Sequence, residues 1–104
     1  MVEYRGIEEG TRMTVLWSPQ ARNGLKNFSK SVHDRIIDKV IEFQETGRGD
    51  IKKIAEGLWR LRVGDYRVYS HKEEERVYVL RIVHRSRAYR EDVIEALKDE
   101  IEVL

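Results

Sequence analysis

The sequence predicts an α+β fold in the order β-α-α-β-β-β, finished by a C-terminal amphipathic helix, and three patterns predict it. Apolar residues recur at helical spacing between Ala21 and Phe43, alternate with period two from Leu58 to His84, and return to helical spacing from Val93 to Leu104. The connections between these stretches are short, so an antiparallel sheet with an N-terminal helical hairpin on one face is the expected packing.

Thr14, Val15, Leu16 and Trp17 form a short β-prone run. Ser18-Pro19 ends it and suits a helix N-cap followed by proline at the first helical position, where the missing N–H is not needed. Ala21, Leu25 and Phe28 share a face of that helix, with Gly24 as a weak point inside it. Ser31 followed by Asp34 resembles a capping box and predicts the start of a second helix, striped by Val32, Ile36, Val40 and Phe43 and ended by Gly47. Beyond Leu58, Trp59, Leu61 and Val63 alternate with Arg60 and Arg62, and Gly64-Asp65 is the turn into a second strand. The acidic run Glu73, Glu74, Glu75 leads into a third strand, Val77 to His84. Residues 1–12 show no periodicity and are expected to be a flexible extension, leaving 13–104 as a single domain.

Composition narrows the function. With 38% charged residues and no apolar run near the roughly 20 residues that cross a bilayer, the chain reads as globular and is expected to be cytoplasmic, without membrane association. No cysteine is present, which removes disulfides, zinc knuckles and thiol nucleophiles together. The net charge of +1 conceals segregation: residues 1–47 sum to 0, residues 48–90 to +6 and residues 91–104 to −5. A basic middle suits a polyanion, whereas the acidic tail repels one.

If the helical hairpin covers the Trp59 and Leu61 face, the other face gathers Arg60, Arg62 and Arg67, with Arg81 and Arg85 joining them by alternation along the last strand. One arginine on a strand is ordinarily a solvated residue. Five together repel one another unless a polyanion neutralises them, so a phosphate-binding face is inferred.

The stretch Gly57 to Tyr69 (GLWRLRVGDYRVY) and the stretch Val77 to Tyr89 (VYVLRIVHRSRAY) resemble the strand core of the RelE/ParE toxins, and the preceding strand and helix pair occur in the same order. The resemblance implies a RelE-like fold and a type II toxin, a metal-independent endoribonuclease with no cofactor that cuts mRNA on the ribosome. Attack by the ribose 2′-hydroxyl leaves a 2′,3′-cyclic phosphate. It also implies a cognate RelB-like antitoxin as partner. Arg60 and Arg62 fall where the family's ribonucleases have two lysines, Arg67 and Arg85 fall on its functional arginines, and Tyr89 falls on its functional tyrosine. Lys52, Lys53, Arg81 and Arg87 are expected to extend the RNA-binding surface.

The reaction needs a base, cationic support for the phosphorane and an acid. Arginine supplies the second but keeps its proton, so Arg60 and Arg62 do not replace a lysine in proton transfer. That leaves Tyr89 as expected base, because a phenol ionises near pH 10 in isolation and cations pull that value down. The acid is Arg85 by resemblance, or His84, an imidazole that titrates near neutrality. Strand parity sets His84 with Leu80 and Ile82, which equally suits a histidine at the edge of the core. Three scattered histidines give no metal signature. Two other readings stay open: a ParE-type inhibitor of DNA gyrase, and a catalytically degenerate module that only binds an antitoxin. The terminal helix reads either as a permanent lid or as an element that a partner displaces.

Overall fold

The computed structural model describes residues 5–7, 14–73, 76–88 and 90–104. Along the chain lie β1 (Arg5–Ile7), β2 (Thr14–Trp17), α1 (Pro19–Lys26), α2 (Lys30–Thr46), β3 (Ile51–Ala55), β4 (Leu58–Val63), β5 (Tyr66–Lys72), β6 (Arg76–His84) and α3 (Glu91–Glu102). The fold is α+β as expected, with one sheet ordered β1-β2-β6-β5-β4-β3. Two strands are additions to the expected set. β1 comes from the segment expected to be an extension, and pairs antiparallel with β2; residues 1–4 and 8–13 lie outside the described residues. β3 carries Lys52 and Lys53 on an outer edge of the sheet, where lysine guards against further pairing and erases the apolar alternation. The sheet is also mixed rather than wholly antiparallel, because β2 and β6 run parallel, with Trp17 opposite Val79.

Each face of the sheet carries its own core. On one, α1 and α2 contribute Ala21, Leu25, Ile36 and Val40 against Trp17, Leu61, Val68 and Val79. On the other, Leu97 of α3 meets Leu58, Tyr69, Leu80 and Ala88. The helix ends follow their local chemistry. Ser18 caps α1 by accepting from the Ala21 N–H. For α2 the cap is Ser29, which accepts from the Val32 N–H, rather than Ser31: the serine preceding the helix satisfies an orphan N–H, and Ser31 already lies within it. Gly47 closes α2 with φ 71°, donating to the Phe43 carbonyl at 2.8 Å in the left-handed conformation that glycine adopts without strain.

The alternation of β6 breaks at one position. Tyr69 pairs with Arg81 but Ser70 pairs with Val79, so Leu80 is an extra residue, a β-bulge. Tyr78 and Leu80 therefore face α3 while Val79 faces the helical hairpin; past the bulge, Arg81 and Val83 face the α3 side, and Ile82 and His84 the hairpin side. Ser18 holds this break in place. Its N–H donates to the Val79 carbonyl at 3.0 Å and its hydroxyl to the Leu80 carbonyl at 2.5 Å. Ser18→Ala removes a cap worth about 0.5–2 kcal/mol and leaves a buried carbonyl unsatisfied. We expect a loss of about 2 kcal/mol in urea denaturation, and Ser18→Thr to recover most of it.

Candidate nucleic-acid interface

Pairing register, rather than sequence distance, assembles the basic residues. Lys52, Arg60, Tyr69 and Arg81 stand opposite one another across β3, β4, β5 and β6. The next row toward the β4–β5 turn is Arg62, Arg67 and Val83. Paired residues point to the same side of a sheet and neighbouring strands lie roughly 4.8 Å apart, so four arginines and a lysine share one patch. This patch lies on the α3 side. The helix covers the Leu58, Tyr69 and Leu80 part of that face, Tyr69 of the first row included.

The cations are held differently. Arg67 is 7% exposed, and its Nη1 donates to the carbonyls of Gly64 at 2.9 Å and Tyr66 at 3.0 Å. Its Nε is buried without a hydrogen-bond partner. A buried guanidinium on two backbone carbonyls fixes the β4–β5 turn and offsets the repulsion from Arg62 directly opposite. Arg60 is largely buried as well, its Nη2 3.7 Å from Asp50 Oδ1, and exposed Arg62 approaches the other oxygen at 3.9 Å. The 58% exposure of Asp50 makes these contacts weak, so an incoming phosphate can replace the carboxylate as counterion. Arg81 is half-buried and Lys52 exposed.

The remaining expected residues are distributed more widely. Arg85, exposed just beyond β6, lies 3.7 Å from Asp65 at the turn. Arg87 is exposed in the loop before α3. Lys53 points the other way, pairing with Glu56 at 3.0 Å and lying 6.0 Å from the Trp59 ring. His84 is not brought to the arginine rows: the bulge turns it to the hairpin side, edge-on to Tyr66. Tyr89 lies outside the described residues. Its neighbour Ala88 is fully buried beneath α3, with its carbonyl accepting from the Tyr69 hydroxyl.

Sequence reasoning missed Asp50, the carboxylate joining Arg60 to Arg62; its position just before an unrecognised edge strand hid it. His71 has 18% side-chain exposure and its Nδ1 lies 2.7 Å from the Gly57 carbonyl. Among the described residues no three His, Asp or Glu side chains converge into a group able to hold a metal ion. No described helix is long and apolar enough to cross a membrane.

Residues 15–89 match the family model described as ParE toxin of type II toxin-antitoxin system, parDE. No curated protein matches the sequence. Among solved structures, a chain of the RelB-RelE antitoxin-toxin complex from Methanococcus jannaschii is 25% identical with a TM-score of 0.58, covering 70% of this chain and 93% of its own. A chain of the archaeal RelE-RelB complex from Pyrococcus horikoshii OT3 is also 25% identical with a TM-score of 0.60, covering 75% of this chain and all of its own. With well over half of the sequence matched by the family model and the same fold in both neighbours, the chain belongs to the ParE toxin family of type II toxin–antitoxin systems, within the RelE/ParE superfamily.

Proposed function

We propose that this toxin is a metal-independent endoribonuclease that cuts mRNA on the ribosome and is neutralised by a RelB-like antitoxin. The observation that carries the reading is the convergence of Arg60, Arg62, Arg67 and Arg81 on one face of the sheet, where Arg62 and Lys52 are open to solvent. A protein that only had to dock on another protein has no need to gather these cations around Asp50, a loosely held carboxylate 3.7 and 3.9 Å from Arg60 and Arg62 that can give way to a phosphate. The antitoxin is supported by the two solved neighbours, which are antitoxin–toxin complexes.

In this mechanism Tyr89 takes the proton from the 2′-hydroxyl, and that oxygen attacks the adjacent phosphorus. Arg60, Arg62 and Arg81 balance the charge of the phosphorane, for which the planar guanidinium is better suited than an ammonium. Arg67 fixes the turn and adds positive potential from beneath. The P–O5′ bond breaks beside Arg85, whose guanidinium hydrogen-bonds the leaving oxygen while water supplies its proton; His84 is set aside because the imidazole packs against Tyr66. The products are a 2′,3′-cyclic phosphate and a 5′-hydroxyl. All of this chemistry belongs to the chain and the RNA.

The second reading is gyrase inhibition, favoured by the ParE description of the matching family and by arginine at both positions where the ribonucleases have lysine. One experiment separates the two. Purified protein is incubated with programmed ribosomes and, separately, with gyrase and supercoiled plasmid. We expect mRNA fragments with cyclic-phosphate ends, strongly reduced in Arg62→Ala. Intact mRNA together with blocked supercoiling establishes the second reading instead.

A further inference from the structure

The end of the sheet where β5 begins and β6 finishes carries a second set of groups, on the face opposite the arginine rows. Tyr66 and His84 are cross-strand partners. The Tyr66 ring lies 4.6 Å from that of Phe28 and meets the His84 ring edge-on at 5.6 Å. Tyr66 also walls a cleft of about 330 Å³, completed by Val32 and Arg35 of α2 and by Val63, Gly64 and Asp65 of the turn. That volume is at the small end of the roughly 300–1,000 Å³ range of ligand sites.

The charges around the cleft favour an anion with a flat ring attached. Arg35 is exposed and makes no ion pair among the described residues. Its guanidinium lies over Gly64, where an added Cβ would come within 3.3 Å of Nη1. Asp65, the acid of the cleft, is already approached by Arg85. His84 is exposed, and its Nδ1 accepts from the Ser86 N–H at 3.2 Å, which leaves Nε2 as the ring nitrogen available to a base edge. Aromatic rings beside an unpaired arginine are the elements with which proteins hold single-stranded nucleic acid.

We infer that this cleft is a second nucleotide site, taking one unpaired base of RNA against Tyr66, whose ring His84 supports from outside the cleft, and its phosphate on Arg35. The inference rests on the ribonuclease reading and adds to it the path of the strand. Arg67 binds the carbonyls of Gly64 and Tyr66, so the turn that walls the cleft is also the border of the arginine rows. An RNA whose scissile phosphate lies on those rows crosses the turn and drops a flanking base into the cleft. Such a base must be unstacked, which selects single strands over duplex.

The test uses the full chain and a 2′-O-methyl RNA oligonucleotide, whose blocked nucleophile prevents cleavage, with 2-aminopurine placed at successive positions. We expect strong fluorescence quenching at one position. His84→Ala and Tyr66→Leu, the latter retaining an apolar contact for Phe28, should each abolish the quenching and weaken binding about tenfold. Arg35→Gln should weaken binding several-fold and reduce the slope of log affinity against log salt by about 0.7, the loss of one single-strand phosphate contact. Wild-type binding and salt slope in all three variants, with Arg62→Ala still weakened, overturn the second site and leave the arginine rows standing. Failure of the wild-type chain to bind the RNA at all, free or held on a programmed ribosome, removes both readings. Displacement by an acidic peptide with no quenching at any RNA position assigns the cleft to a protein partner and likewise overturns the inference.

Discussion

Tyr89→Phe is expected to slow RNA cleavage by about 10²–10⁴-fold, the usual contribution of a positioned acid or base, while leaving RNA affinity within about twofold. The substitution keeps the ring and removes only the hydroxyl. Every other group proposed to touch the reacting phosphate is an arginine, and a guanidinium, which keeps its proton, does not accept that of the 2′-hydroxyl. A chain with lysine at positions 60 and 62 would have a reserve base; this one has none there. Single-turnover cleavage of a labelled message on ribosomes, beside binding of an uncleavable analogue, separates the two effects. A rate within threefold of wild type takes Tyr89 out of the chemistry.

Leu97→Ala should lower stability by about 2–5 kcal/mol, the range for a leucine lost from a packed interior. Leu97 is the single fully buried side chain of α3 and fills the space between Leu58, Tyr69 and Leu80. Its neighbours Val93, Ile94 and Ile101 are only half-buried. Twelve residues make a marginal helix without tertiary support, and the acids Glu91 and Asp92 at its positive end add only tenths of a kcal/mol. Most of what holds α3 is therefore one side chain. Equilibrium denaturation followed by circular dichroism gives the number, and a loss below 1 kcal/mol would mean that α3 is not a fixed part of this core.

Much of the fold was legible because local chemistry and long-range packing agree. Ser18-Pro19 and Gly47 mark helix ends through backbone demands that no neighbour overrides, and the alternation from Leu58 to Val63 follows from one face being buried. The misses have physical causes as well. β3 shows no strand pattern in the sequence because its edge position is protected by Lys52 and Lys53, which interrupt the apolar alternation. The Leu80 bulge is invisible to a period-two count, since the alternation resumes after it with opposite parity. Counting straight through puts Val79 on the arginine face, whereas it is buried under the hairpin; Arg81 reaches the basic patch because the bulge restores it. The same shift explains how His84 keeps company with Ile82 but parts from Leu80. At the candidate site, Arg60, Arg62 and Arg67 were legible from alternation and turn position. The Asp50 bridge and the Arg67 bonds to the turn were not, because they depend on strand pairing between segments that share no pattern.

The strand order also governs how the molecule is made. β6, the last strand to be synthesised, lies in the middle of the sheet, parallel to β2 on one side and antiparallel to β5 on the other. Until residue 84 has left the ribosome β6 cannot join β2 to β5, and joining them closes a loop of some sixty residues, a slow step by its topology. Arg81, Val83 and the bonds from Ser18 arrive together in that step. A nascent chain thus carries no completed basic surface, and the same interval, with unpaired edges exposed, is when it is most prone to aggregate.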